Sequence, residues 1–232
     1  MALAKAAKAV GADVVAFEPQ PFVFQNLCAN LALNALDNVT AWPFACSDQV
    51  GTVWLPCPDY QQDGNFGDVS VQKQEMEGGL QTLCVRLDDM MHDRNVSLLK
   101  VDVEGFELQV LQGAQQVLSS QRPILYVEND RPAQSPALIE YLWAQGYRLW
   151  WHITYLFNPE NFRGRKDNIY SDVGSFNMLG LPKESRITPP SGIVEILDAN
   201  DHRQTVTDAA NHGAIPRILL RPPLLNRDHW KR

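Results

Sequence analysis

The sequence lacks any apolar run of about 18 residues, the length needed for a membrane-spanning helix. It also lacks positive charge overall, with a formal net charge of −7 and a pI near 5.2. An acidic balance argues against general binding to nucleic acid or to anionic membranes. The alanines of residues 1–12 are interrupted by lysines, and no signal-peptide cleavage pattern follows them. These features predict a cytoplasmic protein with no membrane span and no nucleic-acid partner.

Cysteine is scarce and irregularly spaced. Cys28, Cys46, Cys57 and Cys84 form no CxxC pair and have no histidine pair nearby, so no zinc site is predicted and no metal is expected. Three of the four lie in apolar runs, which is typical of buried free thiols in a reducing compartment. Internal repeats and low-complexity tracts are also absent.

The most informative stretch is 96–114, VSLLKVDVEGFELQVLQGA. Its first half is apolar around a single Lys100, which is typical of a strand buried on both faces. Asp102 and Glu104 follow, where ligands bind in open α/β sheets, although the same acids could simply cap a helix. A helix is predicted next from the spacing of Leu108, Leu111, Ala114, Val117 and Leu118.

The rest of the chain alternates between helical and strand patterns, which predicts an α/β fold. Acids follow three further strands, at Glu18, Asp48 and Glu128. We expect a domain over 1–182 and an irregular extension over 183–232, with a short helix at 203–212. Helices are predicted over 2–10, 21–35 and 135–146, and strands over 13–17, 39–45, 51–55, 80–87, 123–128, 147–157 and 175–181.

A polar, glycine-rich connection over 56–79 separates two strands expected to pair antiparallel. Connections of this length in a compact domain are usually functional or mobile. The connection could be a simple insertion, but we expect a lid over a pocket, in which Asn65 and Phe66, the predicted substrate-binding residues, face the carboxyl ends of the strands.

Several of these segments, in this order and spacing, resemble the FkbM family of S-adenosylmethionine (SAM) dependent methyltransferases. The resemblance covers roughly residues 13–182 and implies a Rossmann-like class I methyltransferase fold with flanking helices, in which a seven-stranded sheet has its last strand antiparallel. It rests on VVAFEPQP, NLCANLALNAL, ACSDQVGTV, GNFGDVSV, LLKVDVEGFELQVLQGA and the segment from NPENF to SFNML.

The resemblance also implies roles for the acids. Glu18 would accept hydrogen bonds from the ribose hydroxyls of SAM, Asp48 would lie near the adenine, and Asp102 would lie where methyl donor and acceptor meet. Methyl transfer to an unactivated hydroxyl needs a base, and Asp102, Glu104 or Glu128 could each serve. Sequence does not choose among them. The five histidines are rival bases: His92, His152, His202, His212 and His229.

The chain departs from the family at its front. Met1 begins inside the helix that would follow the first strand and glycine-rich SAM loop, so the sheet is expected to be incomplete at its N-terminus. Three explanations stay open: a truncated reading of a longer gene, completion by another strand, or a decayed methyltransferase. Without those loop amides, SAM binding should weaken about a hundredfold or more.

We therefore expect a SAM-dependent methyltransferase that O-methylates a hydroxyl of a small molecule, sugar or lipid. Two other classes stay open. One is a catalytically inactive binding or scaffold protein with the same fold, and the other is a metal-dependent phosphotransfer enzyme using Asp102 and Glu104. The acceptor and the oligomeric state are not fixed by the sequence.

Overall fold

The computed structural model describes residues 1–61, 69–161, 163–170 and 173–200. They form two compact units, one of residues 1–95 and 108–120 and the other of residues 96–107 with the described part of 121–232. Both units combine helices with parallel and antiparallel strand pairs. The predicted α/β class is confirmed.

The first unit opens with a helix, a strand, a second helix and a strand parallel to the first. Pro21 occupies the first turn of the second helix, where its missing N–H costs no hydrogen bond. Val14 pairs with Val39 and Phe17 with Trp42 across the parallel strands. The elements are α1 (Ala2–Ala9), β1 (Val14–Phe17), α2 (Pro21–Leu33) and β2 (Val39–Trp42).

The prediction of a single strand over 39–45 is wrong, because the structure has two strands in this range. β2 ends at Trp42, and β3 (Ala45–Cys46) belongs to a different sheet. Between them stands Pro43, which has no N–H for a strand ladder and therefore ends the pairing with β1.

β3 joins the antiparallel pair that the sequence predicted. β4 (Gly51–Leu55) pairs with β5 (Leu80–Val85), from Gly51 opposite Cys84 to Leu55 opposite Leu80, and β3 adds in parallel to β5. Part of the 56–79 connection also pairs with β4, because Gln72 and Trp54 exchange backbone hydrogen bonds of 2.8 and 2.7 Å. Asn65 and Phe66 lie outside the described residues, so their substrate role stays a prediction.

The helix predicted through Leu118 is interrupted at Gly113. α4 (Glu107–Gln112) ends there, and a π-helical segment, Val117–Gln121, follows. A Cβ on Gly113 would lie 1.9 Å from the carbonyl oxygen of Ser47, so only glycine allows this close backbone approach. A one-turn helix not foreseen from the sequence, α3 (Leu87–Met90), lies alongside: the amide of Asp88 donates to the carbonyl of Gly113 at 2.9 Å.

The second unit contains a five-stranded sheet in the order β10-β8-β9-β7-β6. β6 and β7 are parallel, whereas β9 runs antiparallel to both β7 and β8, as the resemblance implied. α5 packs on β8. The elements are β6 (Leu98–Val101), β7 (Ile124–Glu128), α5 (Ser135–Ala144), β8 (Tyr147–Tyr155), β9 (Gly174–Pro182) and β10 (Val194–Glu195).

The two faces of this sheet differ in character. One face is fully buried and apolar, and Gly180 on it leaves only 3.0 Å between a hypothetical Cβ and the side chain of Leu125. The other face carries Tyr126, Glu128, His152 and Asn177, because side chains alternate along a strand and these positions are in register. The buried face is made by Leu125, Val127, Leu149, Trp151, Ile153 and Met178.

No helix within the described ranges is both long and apolar enough to cross a membrane. The boundary proposed at residue 182 stays a prediction, although β10 shows that 183–200 adds a strand to β8. The helix expected at 203–212 lies outside the described residues.

Candidate functional site

Three of the predicted catalytic acids meet at the ends of β6 and β7. Val101 pairs with Val127 at the end of the parallel ladder, so the next residues, Asp102 and Glu128, leave adjacent strands side by side. Glu104 follows in the turn after β6. One carboxylate oxygen from each of Asp102, Glu104 and Glu128 lies within 4.8 Å of the others. We call these three side chains the acid cluster.

Two cations neutralise part of the acid cluster. Lys100 Nζ lies 2.5 Å from Asp102 Oδ2, and Arg131 Nη2 lies 2.7 Å from Glu104 Oε2. Arg131 also approaches Asp130, at 3.4 Å. Sequence reasoning did not assign Lys100 or Arg131 to the site. Lys100 could have been found two residues before Asp102, on the same face of one strand, whereas Arg131 comes from a loop whose path the sequence does not give.

Glu128 has a different environment from its neighbours. Its Oε2 atom is buried, and the part of the chain that the structure describes places no hydrogen-bond donor on it. Burial is the largest cause that raises the pKa of Glu128, to about 9, and the charges of Asp102, Asp130 and Glu104 add to it. A hydrogen bond to Asp102 favours the protonated form further. At neutral pH the acid cluster therefore retains a proton on Glu128.

The short distances between the carboxylates of the acid cluster permit two kinds of chemistry. Carboxylates this close either share a proton, as in a dyad of coupled acids, or hold a cation between them. Lys100 and Arg131 already supply positive charge, and Glu128 retains a proton, which fits the first use. The second use is what a magnesium-dependent phosphotransfer enzyme would need.

A tyrosine–histidine pair lies on the same face of the sheet. The Tyr126 hydroxyl is 2.7 Å from His152 Nδ1. Burial, with the Asp102 charge second, raises the pKa of Tyr126 to about 12, and burial lowers the pKa of His152. Both side chains are therefore neutral, and the imidazole tautomer decides which of the two donates the hydrogen bond. His202, His212 and His229 lie outside the described residues, and His92 belongs to the first unit. His152 is in the same unit as the acid cluster but is already engaged by Tyr126.

Glu18, the predicted ribose acid, follows β1 in the first unit. Its Oε1 accepts a hydrogen bond of 2.8 Å from the amide of Gln20. Burial raises the pKa of Glu18, and this hydrogen bond opposes the rise. Gln20 in turn lines a cavity of about 260 Å³, in which the rings of Phe22 and Tyr60 lie 4.5 Å apart. Its lining is largely apolar: Pro21, Phe22, Pro56, Pro58, Tyr60 and Leu80.

Asp48, the predicted adenine contact, forms an ion pair within the first unit. Lys73 Nζ lies 2.8 and 3.0 Å from its two oxygens, and Ser47 donates to Oδ1 at 2.7 Å. Partial burial acts to raise the pKa of Asp48, but the hydrogen bonds from Lys73 and Ser47 lower it below the usual value. Asp48 is therefore a firmly ionised carboxylate that already has a partner.

The fold is similar to that of a solved protein structure. The chain is similar to methyltransferase FkbM from Methylobacillus flagellatus KT, with a TM-score of 0.50 and 15% sequence identity over 77% of this chain and 40% of that one. A precorrin-6y C5,15-methyltransferase from Geobacter metallireducens GS-15 matches with a TM-score of 0.44 and 9% identity, over 73% of this chain and 66% of that one.

Sequence comparison is more specific. Residues 2–149 match the methyltransferase FkbM domain, so the chain belongs to the FkbM methyltransferase family. Methyltransferase sdnD of Sordaria araneosa is 33% identical over 132 residues, which cover 44% of this chain and 51% of that protein. The chain thus spans about half the length of this curated relative.

Proposed function

We propose that the chain is a SAM-dependent methyltransferase that O-methylates a hydroxyl group of a small molecule, sugar or lipid. Family membership supports methyl transfer, and the acid cluster supports a hydroxyl acceptor, because a hydroxyl must lose a proton when its oxygen is methylated. The four cysteines are free thiols, which supports a reducing, cytoplasmic location.

Glu18 is the residue proposed to hold the cofactor's ribose. A carboxylate accepts hydrogen bonds from two vicinal hydroxyls, and Glu18 is bonded to Gln20, which lines a cavity with apolar and aromatic walls. These residues fit a nucleoside-containing cofactor. When bound, SAM supplies an electrophilic methyl group. Asp102 stays a proposed cofactor contact, as does Asp48, although Asp48 would have to share its carboxylate with Lys73.

Glu128 is the base that the geometry favours. Asp102 and Glu104 are each paired with a cation, whereas Glu128 has no such partner among the described residues. When ionised, Glu128 is the strongest base of the acid cluster, and it takes the proton of the acceptor hydroxyl. Asp102 and Glu104 then bind and orient that hydroxyl.

Calorimetric titration with S-adenosylhomocysteine tests the cofactor half of the proposal. We expect weak binding by the wild-type chain, in line with the hundredfold loss expected from the sequence, and a further weakening of about tenfold or more in Glu18→Ala, since a hydrogen bond to a charged group contributes ~1.5–3 kcal/mol. Glu140→Ala, which removes an exposed acid of α5, is the matched control. Equal affinity of Glu18→Ala and wild type would contradict the role of Glu18.

Calorimetric titrations with magnesium and with S-adenosylhomocysteine distinguish the methyltransferase from the two alternative functions. Magnesium binding that is lost in Asp102→Asn, without binding of S-adenosylhomocysteine, would favour the phosphotransfer enzyme. Absence of both would favour a scaffold protein that has the fold but not the chemistry. Methyl transfer from labelled SAM to a panel of sugar, lipid and small-molecule hydroxyls identifies the acceptor class.

A further inference from the structure

The turn that carries Glu104 has an unfavourable backbone. Glu104 has φ 55° and Gly105 has φ 93°, so two consecutive residues take left-handed conformations. A residue other than glycine loses about 1–2 kcal/mol there. Such a conformation persists only where surrounding contacts determine it.

Glu107 supplies those contacts. Its side chain belongs to the first turn of α4, is only 4% exposed, and reaches back to the turn before the helix. Oε1 accepts hydrogen bonds of 3.1 Å from both the amide of Val103 and the amide of Gly105. These two amides flank Glu104 on either side. Hydrogen bonds to an ionised carboxylate are about twice as strong as neutral ones.

Burial raises the pKa of Glu107. The hydrogen bonds from its own amide and from those of Val103 and Gly105 oppose the rise, and the charge of Asp130 adds to it. Without these amides the buried carboxyl group of Glu107 would have no partner, which is energetically costly. Glu107 differs in this from an acid that caps a helix in contact with solvent.

The side chain of Glu104 is held separately, by Arg131 at 2.7 Å. Gly105 lies close to the same loop, since a Cβ there would be 3.6 Å from Arg131 and 3.5 Å from Gln134. The backbone of Glu104 is thus fixed through Glu107 and its carboxylate through Arg131, and both constraints are needed to keep it beside Asp102 and Glu128.

We propose that Glu107 is a positioning residue of the methyl-transfer site: it fixes the turn that brings Asp102 and Glu104 next to Glu128, and it does not contact the substrate. The inference rests on the proposed function for its kinetic consequence, but not for its structural one. Glu107 was not among the acids that the sequence singled out, because its partners are backbone amides and leave no trace in residue spacing.

Two variants of Glu107 separate hydrogen bonding from charge. Glu107→Ala removes the acceptor, and we expect kcat to fall about 100-fold, because misplacement of about 1 Å costs that much. The KM for SAM should change less than kcat, because Glu18 still binds the ribose and only the Asp102 contact is displaced. Amide hydrogen exchange at Val103 and Gly105 should become faster at the same time. Glu107→Gln keeps the Oε1 acceptor and should stay close to wild type in both measurements. Glu140→Ala is the control.

Two results would overturn the inference. One is a kcat in Glu107→Ala within about twofold of wild type. The other is a Glu107→Gln variant that loses activity while its two amides stay protected, which would assign a chemical role to the charge. If Glu107→Ala does not fold, the activity of Glu107→Gln alone tests the inference, since a positioning role requires the Gln variant to stay active.

Amide exchange also separates this inference from the proposed function. If the wild type transfers no methyl group but the two amides lose protection in Glu107→Ala, the proposed function fails and the positioning role stands. Titration of the Glu128 carboxyl by ¹³C NMR gives a second readout. Its midpoint should move toward the ordinary range in Glu107→Ala, because Asp102 and Glu104 are then no longer held beside it.

Discussion

Glu128 shares the end of β7 and its surroundings with the carboxylates of Asp102, Glu104 and Asp130, whereas Lys100 and Arg131 supply the nearby positive charge. Both cations form their ion pairs with carboxylates other than that of Glu128. Glu128 retains its proton first because it is buried, and second because the neighbouring carboxylates disfavour a further negative charge, which none of the described cations neutralises at Glu128 itself.

The pH dependence of catalysis should follow from this protonation state. With a pKa of about 9, little Glu128 is ionised at pH 7, so we expect kcat/KM to rise with pH toward 9 and then level off. Glu128→Gln should abolish the rise and lower the rate about 100-fold or more, the usual contribution of a general base. Initial rates between pH 6.5 and 9.5 test this. A wild-type profile that is flat between pH 7 and 9 would contradict the role of Glu128.

The sequence allowed some of these residues to be predicted. Asp102, Glu104 and Glu128 were found because acids at the ends of adjacent parallel strands must meet. Glu107 and Arg131 were not, because one acts through backbone amides and the other comes from a loop. Patterns along a chain give the strand ends well but not the contacts made after the chain turns.

The interruptions of strands and helices show the same limit of sequence-based prediction. The β4–β5 hairpin was predicted correctly from two apolar runs, whereas the division at Pro43 and the interruption at Gly113 were missed. Proline ends strand pairing through its own chemistry and could have been recognised. Gly113 breaks its helix because Ser47 passes against it, a tertiary contact that no helical period reveals.

Asp88 of α3 caps the helical segment that follows this break. Its carboxylate is 5% exposed and accepts hydrogen bonds of 3.0–3.1 Å from the amides of Gln116 and Val117. Arg86 lies 3.2 Å away. These bonds satisfy amides at the start of a helical segment, which have no partner within the helix.

We expect Asp88→Ala to lower the free energy of unfolding by about 2–3 kcal/mol, since it removes a cap and leaves buried amides unpaired. Asp88→Asn keeps an acceptor and should cost less. Asp89→Ala, whose side chain is 53% exposed, is the neighbouring control. Urea denaturation measures all three variants, and equal stability of Asp88→Ala and Asp89→Ala would show that the cap does not matter.

For the whole molecule, the acids with shifted pKa values change the pH dependence of stability in opposite directions. Asp48 and Glu184 have lowered pKa values, so their contribution is complete above pH 5 and constant beyond it. Asp48 owes this to Lys73 and Ser47 against the effect of its burial, and Glu184 to the hydrogen bond from Arg122. The lowered pKa of half-buried His152 makes stability rise with pH only up to about pH 7.

Glu128 acts in the opposite sense and over a different range. Its pKa is raised from 4.5 to about 9, so between these values the folded chain binds more protons than the unfolded chain and stability falls as pH rises. Above pH 7 the contributions of His152 and of the lowered acids are constant. The range from pH 7 to 9 therefore isolates Glu128 from them.

We expect Glu128→Gln to be more stable than wild type, by a margin that grows between pH 7 and 9. The margin should gain about 1 kcal/mol over that range, because solvent screening of a half-buried carboxyl reduces the full effect. Glu140→Gln is the exposed control and should follow the wild type at every pH. Urea denaturation at pH 7, 8 and 9 gives the comparison. A margin that does not change with pH would mean that Glu128 has the same protonation state in the folded and unfolded chain, and the general-base role assigned to it would lose its physical support.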